Sequence, residues 1–518
     1  MNNFTTPIIL YLQSLLGWKR GAAIFTLGLL SGLAMPPVGL WWILGLTFPL
    51  FFALSQRPKR PSFLLGWLFG FGYFVAALHW IGFAFLVDAD AYLWMMPFAV
   101  AALAAGMALF WAAAVATSLN LANRGLPLFF TAPLCFAGFE WLRGHIFTGF
   151  PWAVPGLAAD GMGGVAQLAS LIGMNGLTLI IVLWAMVPLG FLQGDRFSRW
   201  ASIFIALSLP LCWVWGDIRI AQHPVTFIDG QILRVVQPNI SQSDKWRGDN
   251  ARAIFDQLLD LSSRPQIKPV TVIVWPESAV PFLIDESEMG QSELRGVLAP
   301  NKILLTGAVR RSSPEAVNGK PPDYFTSVLA FDSTAKLIAI YDKKHLVPGG
   351  EYLPLAWLIE PLGFRKVVNL PESFRSGTAS SVVAIRSLGF VAMQICYEAI
   401  FPEALFTAKR PDWILNVTND GWFGNSAGPY QHLAQLRFRA IEQGIGVVRV
   451  ANTGISAIID TTGGYVYRSD LGGVAVFDSQ IPRASEVTLY GQFGDFMLFG
   501  LMGILLFIPI LKRQFYKV

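Results

Sequence analysis

Apolar residues run almost without interruption through roughly the first 215 positions and the last 25, while hydrophobic and polar positions mix in between. Short polar loops cut the first region into seven blocks, at about 21–35, 39–54, 63–86, 93–119, 126–145, 165–192 and 200–215, and an eighth block at 496–511 closes the chain. A bilayer core needs about 20 apolar residues per helix, so the ends of the shorter blocks are set only to within several positions. The pattern predicts a helical bundle of about eight spans. Lys19 and Arg20 precede an apolar stretch that continues into further spans, which argues against a cleavable leader.

The middle region has a different rhythm. Short runs rich in β-branched residues predict strands at 232–236, 270–274, 303–309, 325–331, 337–341, 381–385, 391–395, 413–417, 447–450 and 456–459, and helical patterns fall at 250–261 and 430–443. Strands interleaved with helices predict an α/β layered domain rather than an all-β one. The expected organisation is a bundle over 1–216, a large domain over 217–492, and a last span with its tail over 493–518.

Composition sharpens this picture. Hydrophobic residues make up 54% and charged residues 14% of 518 positions, as in a membrane protein with a sizeable water-facing part. The net charge of +5 says little about nucleic acid, because the basic residues outside the middle region sit in loops. If eight spans alternate, Lys19/Arg20, Arg57/Lys59/Arg60, Arg124, Arg196/Arg199 and Lys512/Arg513/Lys517 share one face. The opposite face receives 36–38, then Asp88 and Asp90, then 147–164. By the positive-inside rule the basic face is cytoplasmic. The middle domain then lies outside, in the periplasm of a cell with two membranes. Within the blocks, Glu140 and Arg143 have the i,i+3 spacing of a helix-face ion pair, with lipid-headgroup contact as the alternative. His79 beside Trp80 reads as packed or interfacial. No His, Cys and Asp share metal-site spacing along the chain.

Candidate chemistry sits at three strand ends. The run VAMQICYEAI (391–400) is apolar until Cys396, where Tyr397 and Glu398 follow. An isolated cysteine is most often a small buried hydrophobe. However, TVIVWPES (271–278) delivers Glu277 just past its strand, and KLIAIYDKKHLVPGGE (336–351) delivers Lys343 in the same way. Cys135 and Cys212 fall in apolar blocks, so Cys396 is the sole thiol of the middle domain and no disulfide can form there. An unpaired thiol in an oxidising compartment is a liability, which favours a chemical reason for it. Such a thiol needs a base or a positive field to become a nucleophile. Glu277 can take its proton. Lys343, with a backbone N–H after Cys396, can hold an oxyanion. A surface ion pair would account for Glu277 and Lys343, but not for the flanking WPES and KKHLVP stretches.

A carboxylate, an ammonium and a thiol in that order, each past its own strand, resemble the catalytic triad of the nitrilase superfamily. That resemblance implies a four-layer αββα sandwich with Glu277, Lys343 and Cys396 as catalytic residues. It extends further: with seven spans before the domain and one after it, the whole chain resembles the apolipoprotein N-acyltransferase family, the membrane-embedded branch. Supporting segments are FTGFPW (147–152), VVQPNISQSDKW (235–246), WPES, HLVPGGE, CYE, NVTNDGWFGNSAGPYQH (416–432) and ANTGISA (451–457). The family resemblance implies an acyl donor that is a membrane phospholipid and an acceptor that is the amine of an S-diacylglyceryl-cysteine on an apolipoprotein. Transfer would be ping-pong through an acyl-thioester on Cys396, the last step of lipoprotein maturation, at the periplasmic side of the bacterial inner membrane and without a cofactor. It further implies that Glu351 is a second essential acid acting through Lys343 or as a proton relay, that Tyr397 and Glu398 shape the pocket, and that Trp246 lies on a mobile loop over it. For Trp246 an aromatic anchored at the membrane interface stays open beside that role, and for GWFG (421–424) both acyl-chain contact and domain packing stay open. Gly349 departs from the family, which more often has phenylalanine before GE. Two rivals remain, a membrane-tethered amidase and a channel or transporter with a sensor domain.

Overall fold

In lipid a backbone must satisfy its own hydrogen bonds, and helices occupy each of the eight apolar blocks: Gly17–Gly32, Leu44–Ser55, Ser62–Leu78, Met96–Asn123, Leu128–His145, Ala169–Ala185, Arg196–Gln222 and Phe496–Phe515. The computed structural model describes residues 16–55, 62–265, 269–313, 322–352, 357 and 374–515. Among these, four segments are long and apolar enough to cross a membrane, namely Ser62–Leu86, Ala89–Asn123, Gly163–Leu192 and Arg196–Gln222, whereas Trp41–Ser55 and Phe496–Ile508 are shorter apolar helices. Eight crossings therefore rest on the sequence pattern. The basic loop with Arg57, Lys59 and Arg60, and the terminal Lys517, lie outside the described residues. The chain divides into two units, one of Met1–Gly82, Trp94–Pro224 and Val487–Val518, the other of Phe83–Leu93 and Val225–Glu486.

In the helical unit, small residues bring backbones together as they do in lipid: a Cβ on Gly72 would stand 2.2 Å from the Phe25 carbonyl oxygen. The two polar side chains flagged in the fifth block pair with each other. Arg143 Nε donates to Glu140 (3.0 Å), the Trp111 indole N–H also donates to Glu140, and Arg143 reaches the carbonyls of Phe150 and of Trp152 (3.0 Å). Both side chains are fully buried, so the pair holds the FTGFPW loop onto its helix and the ion-pair reading prevails over headgroup contact. His79, just past helix Ser62–Leu78, is exposed and its ring hydrogen-bonds with the Ala76 carbonyl of that helix.

In the second unit, period-2 alternation sends residues of each strand to two different cores. Strands β1 (Phe227–Gln237), β2 (Val272–Trp275), β3 (Ile303–Arg311), β4 (Tyr324–Phe331), β5 (Leu337–Asp342) and β12 (Ala475–Pro482) form one sheet in the order β12-β1-β2-β3-β4-β5. Strands β6 (Val382–Ile385), β7 (Gly389–Ile395), β8 (Trp413–Thr418), β9 (Val447–Ala451), β10 (Ala457–Ile459) and β11 (Tyr465–Arg468) form the other, in the order β11-β10-β9-β8-β7-β6. Val272 and Val274 of β2 face Met393, Ile395, Leu415 and Val417 across the central core. Ile273 and Trp275 instead pack under helices Ala251–Ser263 and Glu288–Leu298. Helix Ala427–Gln443 covers the second sheet through Leu433, Leu436 and Ala440. The outcome is the four-layer αββα sandwich. All ten expected strands and both expected helices are present. The elements the sequence pattern missed are β11, exposed at every position, β12, whose DSQ breaks the apolar run, and helix Glu288–Leu298, where only Leu294, Leu298 and Gly290 are buried.

Candidate active site

Each of the three strand ends has a local cause. Strand β2 stops at Trp275 because Pro276 has no N–H to continue the ladder. Gly307 of β3 then lets the two backbones close up: its N–H donates to the Pro276 carbonyl (3.1 Å), its own carbonyl accepts from Ala279 (2.9 Å), and a Cβ there would stand 2.4 Å from Glu277 Cα. At the end of β5, Asp342 takes two bonds from Arg310 (2.7 and 2.5 Å) and one from Ser327 (2.7 Å). The Lys343 backbone is clamped between the Thr326 carbonyl (2.9 Å) and the Gly377 N–H (2.8 Å). After β7, Cys396 adopts φ +47° and opens the short 3-10 turn Cys396–Ile400. A non-glycine residue holds that left-handed conformation only where its surroundings enforce it.

These ends converge. Lys343 Nζ stands 2.9 Å from Glu351 Oε1 and 3.6 Å from Glu277 Oε1, and the Cys396 thiol is within hydrogen-bonding reach of the Glu277 carboxylate. Glu277, Lys343 and Cys396 are all buried. Burial first, and the adjacent Glu277 second, push the Cys396 thiol well above its ordinary value against the pull of Lys343. Burial also raises Glu277, with Lys343 the main opposing charge. For Lys343, burial works against the ammonium, but Glu351, Glu277 and Cys396 together raise it above the usual lysine range. The resting thiol is therefore protonated, beside a carboxylate of raised basicity and a permanent positive charge. This set can carry out nucleophilic acyl chemistry at Cys396.

Glu351 joins the trio: one oxygen accepts from Lys343 and the other from the Val347 N–H (2.8 Å), which folds the HLVPGGE loop back on the ammonium. Gly349 in that loop has φ +79°, a conformation that favours glycine. Glu398 is buried and accepts from Ile395 N–H, Lys344 N–H and Tyr341 OH (2.8 Å each) and from His345 N–H (3.2 Å). It thereby ties the cysteine turn to the lysine loop. Tyr397 is buried with its ring edge-on to Phe401 at 5.1 Å. Trp246 is 38% exposed at the end of the turn Gln242–Lys245, and it is Lys245, one position earlier, that reaches Glu277.

Two groups escaped the sequence reading. Lys245 is one. The other lies behind the cysteine: His432 Nε2 is 3.0 Å from the Cys396 carbonyl, and since a carbonyl only accepts, that nitrogen carries a proton. His432 Nδ1 lies 2.9 Å from Asp420 Oδ1, and Arg449 donates to Asp420 Oδ2 at 2.6 Å and to Asn416 at 2.7 Å. Burial opposes the Asp420 charge, but Arg449 and His432 hold its carboxyl below the usual range. The donor atoms of Cys396, Asp420 and His432 lie within 4.8 Å of one another, a cluster that chain spacing hid. A metal ion there would meet the Arg449 guanidinium, which already neutralises Asp420. The only signal for His432 and Asp420 was their place in the NVTNDGWFGNSAGPYQH segment.

Two family descriptions match the chain, the apolipoprotein N-acyltransferase N-terminal domain over residues 27–187 and carbon-nitrogen hydrolase over residues 232–486. Among curated proteins, an apolipoprotein N-acyltransferase from Rhodopseudomonas palustris is 38% identical over 516 residues, and one from Bradyrhizobium diazoefficiens is 39% identical over 517, each alignment covering 96% of both chains. One from Caulobacter vibrioides is 37% identical, covering 94% of this chain and 93% of that one. Among solved structures, an amidase from Nesterenkonia sp. superposes with a TM-score of 0.36 at 16% identity, over 49% of this chain and 92% of that one.

Proposed function

We propose, from the premise that this chain belongs to the apolipoprotein N-acyltransferase family, that Cys396 carries an acyl group from a membrane phospholipid to the N-terminal amine of a diacylglyceryl-apolipoprotein. The observation that carries this reading is the meeting of a buried thiol, a carboxylate of raised basicity and a paired ammonium at three strand ends. In the first half-reaction Glu277 takes the Sγ proton as sulfur bonds to the ester carbonyl carbon. Lys343 and the backbone N–H after Cys396 hold the resulting oxyanion. The tetrahedral adduct collapses by breaking the C–O bond, and Glu277 returns the proton to the departing lysophospholipid oxygen. In the second, the apolipoprotein amine adds to the thioester carbon and gives a proton to Glu277, then the C–S bond breaks and the thiol is reprotonated. Glu351 keeps Lys343 aimed, and Trp246 serves as the exposed aromatic on the loop over the site.

The same reading makes the enzyme a multi-pass protein of the bacterial inner membrane, with about eight spans and its hydrolase-like domain on the periplasmic side. Both substrates are lipids, so a membrane-held thiol gains proximity. A thioester waiting for a bulky amine must be kept from water. The test is mass spectrometry of the purified enzyme with phospholipid alone. Cys396 should gain about one acyl group per enzyme, and free fatty acid should accumulate slowly. A diacylglyceryl-cysteinyl peptide with a free amine should discharge the adduct and become N-acylated, whereas an N-blocked peptide should leave it in place. Fatty-acid release at one rate with or without the amine would identify a hydrolase and end this reading.

A further inference from the structure

Lys245 is completely buried, although its chain neighbours Asp244, Trp246 and Arg247 are exposed. Lysine is almost never fully buried unless it is paired, because an unpaired ammonium costs several kcal/mol to remove from water. Its Nζ donates to the backbone carbonyl of Glu277 at 3.1 Å, but a carbonyl carries no net charge. Burial pulls Lys245 down to about 8, and the Glu277 carboxylate is the group that pushes it back up. Charge counting at the site points the same way. The carboxylates of Glu277 and Glu351 share the single ammonium of Lys343, at 3.6 and 2.9 Å. With Cys396 a neutral thiol at rest, two negative charges, Glu277 buried and Glu351 half-buried, would face one positive charge.

We propose that Lys245 is the second cation of this site, a positioning residue that fixes the Glu277 backbone and keeps its carboxylate ionised and ready to accept the thiol proton. It acts through Glu277 and not on the acyl group, and the proposal rests on the reading of Glu277 as the base for Cys396. The groups that face Glu277 are Lys343 after β5, Glu351 of the following loop, Cys396 after β7, and Lys245 itself. The neighbouring lysine also explains how Trp246 is held: the turn Gln242–Lys245 that carries it is anchored to the base by one buried bond.

The sign of the effect is fixed. Removing a positive charge near Glu277 makes its protonated form easier to reach, so the acid limb of Cys396 reactivity must move to higher pH. Lys245→Met should shift that limb upward by about one pH unit while leaving the high-pH plateau within a few-fold of the parent. A uniform loss at every pH, as from a purely structural role, or an unmoved midpoint overturns the proposal. The profile is read twice, by acylation with phospholipid and by iodoacetamide alkylation of the Cys396 peptide, which needs no acyl donor. A shifted alkylation limb without any phospholipid adduct would end the donor reading and leave this one standing. Should Lys245→Met not fold, the parent enzyme labelled with 13C at lysine Cε decides the matter. One lysine should titrate near pH 8 and move lower in Glu277→Gln. A spectrum in which every lysine titrates in the ordinary range, or in which that one ignores Glu277→Gln, overturns the pairing.

Discussion

A thiol raised by burial and by a carboxylate is a poor nucleophile until that carboxylate takes its proton, so activity at Cys396 should follow the ionisation of Glu277. Burial holds Glu277 above the usual carboxylate range. Protonated Glu277 cannot act as the base, so the acylation rate should fall as pH drops through that raised midpoint, at a higher pH than an exposed glutamate would give. Cys396→Ala should abolish the adduct altogether, because Cys396 is the one cysteine of the hydrolase-like domain. Glu277→Gln keeps the shape and removes the base, which should slow adduct formation by about 10²- to 10⁴-fold; rapid-quench mass spectrometry measures both. An unslowed Glu277→Gln would mean that another group accepts the proton. These residues were legible in the sequence because each follows a short apolar run whose end is marked, by Pro276, by Asp342 or by the polar pair Tyr397 and Glu398. Lys245 and His432 were not. A lysine in SQSDKW, or a histidine early in a helix, reads as solvated until the fold shows what lies opposite.

At the scale of elements, the site depends on how closely neighbouring segments approach. Gly307 is such a case, since a methyl group there would meet Glu277 Cα at 2.4 Å and the Pro276 carbonyl oxygen at 2.6 Å. Gly307→Ala must push β2 and β3 apart just where Glu277 leaves the sheet. It should cost about 1–3 kcal/mol, as overpacking does, and lower acylation more than stability alone explains; thermal melting alongside adduct kinetics separates the two. His432 braces the opposite sheet. His432→Ala leaves the Cys396 carbonyl without its donor at a residue held at φ +47°, a loss of about 1–3 kcal/mol for an unsatisfied buried group. Its melting temperature should fall by several degrees, with slower acylation at an unchanged pH midpoint, because His432 contacts the turn and not Glu277. The strand pattern was readable wherever β-branched residues alternate between two cores, as in Val272–Trp275. It failed for β11, which buries nothing, and for β12, where Asp478 serves Arg234 (2.8 Å) instead of a core.

For the whole molecule, the distribution of charge between loops carries the topology. Four segments are long and apolar enough to cross a membrane, while helices at Gly17–Gly32, Leu44–Ser55, Leu128–His145 and Phe496–Phe515 are shorter or interrupted by polar residues. A bundle can thin the bilayer locally to accommodate such shorter segments, and labelling of the loops counts the crossings. If all eight cross, Arg124, Arg196/Arg199 and Lys512/Arg513 are cytoplasmic together, and the hydrolase-like domain is on the other side. Single cysteines can report this in a parent with Cys135 and Cys212 replaced by alanine. One placed at Arg124 should resist a membrane-impermeant maleimide in cells with a permeabilised outer membrane, and one at the exposed Asp229 or Arg483 should react under the same conditions. Cys396 is common to every variant, so labelling is read by mass spectrometry on the peptide that carries the introduced cysteine. Protection of Asp229→Cys alongside Arg124→Cys would mean that an odd number of the expected spans fails to cross between them. It would put the thiol in the reducing cytoplasm, away from the periplasmic lipid surface that the acyl-transfer reading requires.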